Sequence, residues 1–163
     1  MTPQPSDDPS PRKLPPFTPA QERFGNLVIR AMSALNVWAF RWSKGRIGGR
    51  FLRGAPVLLL TSIGRKSGQP RTTPLLYLRD GERLVVVASK AGFSTHPLWY
   101  GNVAANPRVE VELTGERRVM LARRASDAEK QALWPKLVAM YRDFDDYKAR
   151  TDREIPVVIL SPA

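Results

Sequence analysis

Four short segments of this chain carry residues whose types and spacing suit chemistry. The sharpest is Gly64-Arg65-Lys66-Ser67-Gly68-Gln69-Pro70-Arg71. Glycine lets a backbone approach an anion closely, and loop N–H groups with Arg and Lys side chains hold phosphate or carboxylate. The Gly-x-x-x-x-Gly-Lys-Ser spacing of a nucleotide-binding loop is absent, so a solvated basic hairpin loop is the plain alternative. The second segment, Ala88-Ser89-Lys90-Ala91-Gly92, closes an apolar run and puts a hydroxyl and a cation where the chain must turn. The third is His96-Pro97-Leu98-Trp99-Tyr100-Gly101-Asn102, closed by Asn106-Pro107. The fourth is Tyr141, Phe144 and Tyr147, which at three-residue spacing share one face of a helix. They form either a packing stripe or an aromatic wall over a planar ligand. His96 is the lone histidine and invites an acid–base role, although a structural place in its loop is the default.

Composition narrows the chemistry. The chain has 163 residues, 42% of them apolar and 25% charged, as expected for one globular domain with its own core. It has no cysteine, which excludes disulfides, thiolate metal sites and a cysteine nucleophile. One histidine excludes a multi-histidine zinc centre, and no metal is expected. Twenty-six Lys and Arg against fifteen Asp and Glu give a net charge of +11. That field attracts nucleic acid, acidic lipid headgroups or a polyanionic small molecule. No nucleic-acid-binding motif is present, and the charge gathers in an N-terminal helix and in the 64–71 loop, so no nucleic-acid partner is expected.

The elements that must position these residues follow from periodicity. Residues 1–19 include seven prolines and read as a disordered tail, with 20–163 as a single domain. The tail lacks the apolar core of a signal peptide, so a cytoplasmic location is expected. From Ala20 to Ser43, Phe24, Leu27, Val28, Ala31, Leu35, Trp38 and Trp42 recur at helical steps. This stripe is expected to pack on the protein's own domain. As a basic, tryptophan-bearing face it also suits peripheral contact with an anionic membrane on its inner side, but it is too polar to span one. Six strands are expected, at 56–62, 71–79, 84–88, 108–113, 117–125 and 155–160, with a hairpin at Asp80-Gly81. Strands and helices do not alternate regularly, which favours a small, mostly antiparallel barrel over a parallel sheet. Helices are expected at 97–105 and from a Ser126/Glu129 capping box to about Arg142, with a continuation over 145–150.

GRKSGQPR followed by TPLLYL, then VVVASKAG, HPLWYGNVAANP and TDREIPVVIL, resembles the deazaflavin-dependent nitroreductase family, small enzymes that use coenzyme F420. The resemblance runs from Phe24 to Pro162. It implies a split β-barrel related to flavin-binding barrels, mainly β with flanking helices. It also implies hydride transfer from reduced F420 to an activated double bond, in a quinone, an enone or a nitroaromatic ring. By the same resemblance Arg65, Lys66, Ser67 and Arg71 hold the phosphate and acidic tail of the coenzyme. Thr73, Pro74 and Leu75 of TPLLYL, with Ala88, Ser89 and Lys90, lie along it. Trp99 and Asn102 match the family's Trp-Tyr-x-Asn. Tyr141 and Tyr147 match tyrosines that line the acceptor side, and with Ser89 they are the expected catalytic hydroxyls. Phe144 and Leu76 stand where some members carry tyrosine, and Ala91 stands where the family places glycine beside the lysine. The resemblance leans to a monomer from an actinobacterium with a small-molecule hydride acceptor. An FMN-dependent barrel reductase and a non-enzymatic anion- or membrane-surface-binding protein are the competing readings.

Overall fold

The apolar runs of the middle and the C-terminus become strands that close on themselves. In the computed structural model, which describes residues 12–51 and 54–163, the strands are β1 (Val57–Ile63), β2 (Pro70–Asp80), β3 (Arg83–Val87), β4 (Arg108–Leu113), β5 (Glu116–Arg124) and β6 (Val157–Pro162). They form a closed barrel in the order β1-β2-β3-β6-β5-β4, and every neighbouring pair is antiparallel. Closure leaves no strand edge unpaired. The helices are α1 (Pro19–Trp42), α2 (Leu98–Ala105), α3 (Asp127–Met140) and α4 (Asp143–Arg150). Residues 1–11, most of the proline-rich segment expected to be a tail, lie outside the described residues.

Side-chain alternation explains why β1, β3 and β6 read as unbroken apolar runs. Leu58, Leu60, Leu84, Val86, Val158 and Leu160 point into the barrel. Val85, Val87, Val157 and Ile159 point outward, under Leu133 and Leu137 of α3 and Phe144 of α4. Both faces are dry over 57–60, 84–87 and 157–160, so these stretches carry apolar residues on both faces. β2 differs. It is half-buried from Thr72 to Leu78, with Leu75 and Tyr77 packed toward the interior and Leu76 and Leu78 toward α3 and α4.

The expected capping box of Ser126 and Glu129 forms at α3, and a second, not anticipated from the sequence, is made by Thr18 and Gln21 at α1. Gly81 takes a left-handed φ of 63° in the hairpin, which an Asp80–Arg83 ion pair closes.

Two expectations change. The apolar stripe of α1 does not pack on the barrel: Phe24 is 71%, Trp38 63% and Trp42 70% exposed, and Phe40 is the one buried residue of the helix. Polar contacts near its ends tie α1 to the barrel, and Gly25 lies against the Phe93 ring. Glu22 accepts from the Ser94 N–H and hydroxyl at 2.7 and 2.8 Å. Arg41 meets the buried carboxylate of Glu112 at 2.5 Å. The segment leading into α1 is also seated, since the Leu14 N–H donates to the Ala149 carbonyl and Phe17 packs edge-on against Phe93. Second, Tyr141, Phe144 and Tyr147 do not share one helix. α3 ends at Met140 and Tyr141 is extended (φ −144°, ψ 98°), so the chain breaks before α4 begins.

Candidate functional site

The basic loop joins β1 to β2. The Gly64 N–H donates to the Gln69 carbonyl and the Gly68 N–H to the Gly64 carbonyl, both at 2.8 Å, and the Gln69 N–H reaches Ser67 Oγ at 3.3 Å. The loop is then pinned to α2. The Arg65 N–H donates to Asn102 Oδ1 at 3.1 Å, and Asn102 Nδ2 donates to Ser62 Oγ at 3.4 Å. The Arg65 guanidinium lies against the Gly101 backbone, where a Cβ would stand 3.2 Å from Arg65 Cζ. Two segments far apart in sequence thus become one unit, with buried Asn102 as its link. Arg65, Lys66 and Arg71 are exposed, and none pairs with a carboxylate among the described residues. Three cations without internal partners on an anchored loop are ready to take an external anion.

The second wall is the turn after β3. Ser89 is buried, and its hydroxyl makes no bond to the turn it opens. Lys90, Ala91 and Gly92 then take left-handed φ values of 45°, 53° and 78° in succession. Ala91 therefore adopts the conformation for which glycine is favoured, at a cost of about 1–2 kcal/mol. Gly92 has no substitute: a Cβ there would lie 2.8 Å from the Tyr147 carbonyl oxygen, so the turn is pressed onto α4. Lys90 Nζ donates to Thr95 Oγ1 at 2.9 Å. Burial lowers its pKa, and Glu22 opposes that shift.

The third wall is aromatic. Tyr141 and Tyr147 hydroxyls lie 3.2 Å apart. Ring centroids are 5.2 Å apart for Tyr141–Phe144, 6.2 Å for Tyr141–Tyr147 and 6.3 Å for Phe144–Tyr147. Three rings expected on one helical face thus meet through a chain break. Burial, followed by the mutual hydrogen bond, raises the pKa of Tyr141, and burial raises that of Tyr147. Both phenols keep their protons at neutral pH.

The remaining residues singled out in the sequence divide by depth. Ala88 and Trp99 are sealed in the interior cluster, where Trp99 fixes α2. Thr73, Pro74 and Leu75 lie on half-buried β2, opposite Leu60, Leu59 and Leu58 of β1. His96 accepts at Nδ1 from Arg153 at 3.0 Å, and its ring lies 5.2 Å from that of Tyr100. Burial and then the Arg153 charge lower its pKa, which favours the neutral imidazole. Sequence reasoning missed Phe51, whose ring stands 6.0 Å from Tyr141, because it lies in an irregular connection with no periodicity. It also missed Arg153, which touches three carbonyls of the turn region. The only sequence signal was its place within TDREIP.

A closed six-stranded antiparallel barrel carrying an unpaired cationic loop and a pair of protonated tyrosines places the chain in the split-barrel class. A solved F420-H2-dependent reductase superposes on it with a TM-score of 0.61 at 37% identity, covering 65% of this chain and 94% of that one. A structure described as a domain-swapped dimer gives 0.64 at 31% identity, covering 83% of this chain and 98% of its own. An F420H(2)-dependent quinone reductase of Mycobacterium tuberculosis is 40% identical over 125 residues, which make up 75% of this chain and 84% of that protein. The chain belongs to the F420H(2)-dependent quinone reductase family, whose sequence signature matches residues 32–162. This is narrower than the nitroreductase label that the motifs suggested.

Proposed function

We propose that the protein reduces a quinone with reduced F420, held along the basic loop and the turn after β3. The observation that carries this reading is the unpaired cationic set Arg65, Lys66 and Arg71 on a loop fixed by Asn102. F420 carries a phosphodiester and glutamate carboxylates, and those anions suit such a set. When bound, the coenzyme supplies a hydride, and the protein's part is binding, orientation and proton management. Lys66, Arg71 and Ser67 bind the acidic tail. Arg65, whose guanidinium lies against Gly101 of α2, joins them from that fixed position. Thr73, Pro74, Leu75 and Lys90 shape the bed for the ring system; Ala88 and Trp99, expected beside the coenzyme, are instead sealed in the core, where they support the bed and α2 from behind.

A quinone becomes a hydroquinone by taking up one hydride and one proton. The Ser89 hydroxyl and the Tyr141–Tyr147 pair stand as hydrogen-bond donors to the developing oxyanion, and their raised pKa values keep the phenols protonated for that role. Phe144 and Leu76 offer no hydroxyls, which favours a quinone over a nitro group needing more donors. The test is oxidation of reduced F420 by a water-soluble quinone, followed by absorbance. Turnover with the quinone and none with a nitroaromatic is the expected result. No quinone-dependent oxidation would overturn the reading.

The exposed stripe of α1, with Arg23 and Arg30 beside Phe24, Leu27 and Trp38, supports peripheral contact with an anionic membrane. Among the described residues no helix is long and apolar enough to cross a membrane. Sedimentation with anionic vesicles should be lost when residues 1–45 are removed. The protein is read as a monomer, and elution at twice the monomer mass would favour a dimer instead.

A further inference from the structure

We infer that Arg153 is the positioning residue that holds the Ser89–Lys90 turn in its left-handed shape. Three consecutive residues, two of them not glycine, sit at positive φ, a conformation that persists only when its surroundings enforce it. Arg153 reaches both sides of that stretch. Its Nη2 donates to the Ser89 carbonyl at 2.6 Å, its Nη1 to the Ala88 carbonyl at 3.2 Å, and its Nε to the Phe93 carbonyl at 2.8 Å. Nη1 also meets His96 Nδ1 at 3.0 Å. The planar fork thus closes a ring around residues 88–93, and both ends of the turn are tied to one rigid group.

Geometry rules out a lysine in this role. Its single ammonium is a point donor on a flexible stem, whereas a guanidinium presents five N–H groups in a fixed plane. Arg153 touches neither tyrosine hydroxyl and stands behind the turn, so it acts through Ser89 and Lys90. Because Gly92 packs directly on Tyr147, the same clamp sets the spacing between the serine wall and the tyrosine wall. The consequence for coenzyme binding rests on the function proposed above; the consequence for the turn itself does not.

The test compares wild type, R153A, R153K and R153A/A91G by amide exchange without coenzyme and by fluorescence titration with oxidised F420. The turn's own hydrogen bonds are Gly92 N–H to the Ser89 carbonyl and Phe93 N–H to the Lys90 carbonyl. In R153A and R153K these two amides should exchange at least about tenfold faster, while those of Val85 and Val86 in the barrel keep their rates. F420 affinity should fall by about tenfold in both, and kcat should fall more than KM for the quinone rises. Glycine at position 91 adopts positive φ without strain, so A91G should restore part of the affinity lost in R153A. If R153A does not fold, R153K, which keeps the charge, decides. Unchanged exchange at Gly92 and Phe93 in a folded R153K overturns the clamp. Failure of wild type to bind F420 would overturn the coenzyme reading instead and leave the exchange comparison to judge Arg153.

Discussion

The β1–β2 loop and strand β5 are the two arginine-rich regions of the barrel, and they use their charge in opposite ways. On β5 every arginine has an acidic partner. Arg117 lies 3.4 Å from Glu112, Arg118 2.7 Å from Glu116, Arg123 2.7 Å from Glu129 and Arg124 2.6 Å from Glu154. On the loop, Arg65, Lys66 and Arg71 have none among the described residues. Exposed pairs add little stability, typically about 0–1 kcal/mol each, but they cancel the local field. Of these two regions, the loop is the one whose cations are left for an external anion. A net charge of +11 says that an anion is wanted, and the anchoring of the loop by Asn102 distinguishes its cations from the other unpaired ones.

The comparison is broken most severely by emptying the loop. K66A/R71A should weaken F420 binding by about 100-fold at low salt, because each charge-assisted bond contributes about 1.5–3 kcal/mol. The matched β5 variant R118A/R123A should stay within about twofold of wild type by the same titration. Equal losses in the two variants would mean that bulk charge, and not a site, draws the coenzyme.

The next effect separates binding from chemistry. Y141F/Y147F should lower kcat by about 100-fold, the size of a lost oxyanion donor, with F420 affinity unchanged. Unchanged turnover in the double variant would remove the phenols from the reaction.

G92A forces a Cβ onto the Tyr147 carbonyl at a left-handed position. It should cost about 2–3 kcal/mol of stability by denaturant titration and also weaken F420 binding. A variant as stable as wild type would show that the turn has room to move away from α4.

The smallest effect belongs to the paired region. Arg123 and the α3 cap hold the Glu129 carboxyl at about 2, below its ordinary value of 4.5. Its folded pKa is lowered, so its contribution is complete above pH 4.5 and is lost as pH falls toward 2, where the unfolded chain takes up the proton first. E129Q should flatten that part of the acid-denaturation curve and leave F420 binding alone. A change in binding would connect β5 to the site.

The sequence carried the barrel because both-faced burial left unbroken apolar runs at 57–60 and 157–160 and because Asp80-Gly81 marked its hairpin. It also carried the basic loop, since the glycine spacing and cation types are local. The arrangement of α1 was not legible. Helical periodicity reports that a face is apolar and says nothing of whether anything covers it, and here Phe24, Leu27, Trp38 and Trp42 stay exposed. The tyrosine cluster was found by its spacing, though for a reason that fails at the extended Tyr141. Arg153 was invisible because its role lies in reaching carbonyls about sixty residues away, and carbonyls leave no trace in residue identity. Trp99 was legible only as a motif letter; its burial in the core gives it a different task from the exposed cations beside it.

The central claim is that the unpaired loop is the coenzyme's anion site. A fluorescence titration of oxidised F420 into wild type and K66A/R71A at low and high salt tests it most directly, with FMN as the parallel ligand. The account predicts tight F420 binding to wild type, no comparable binding of FMN, and a gap between wild type and variant that narrows as salt screens the charges. Equal F420 binding by wild type and the loop variant, or binding of FMN alone, would contradict it.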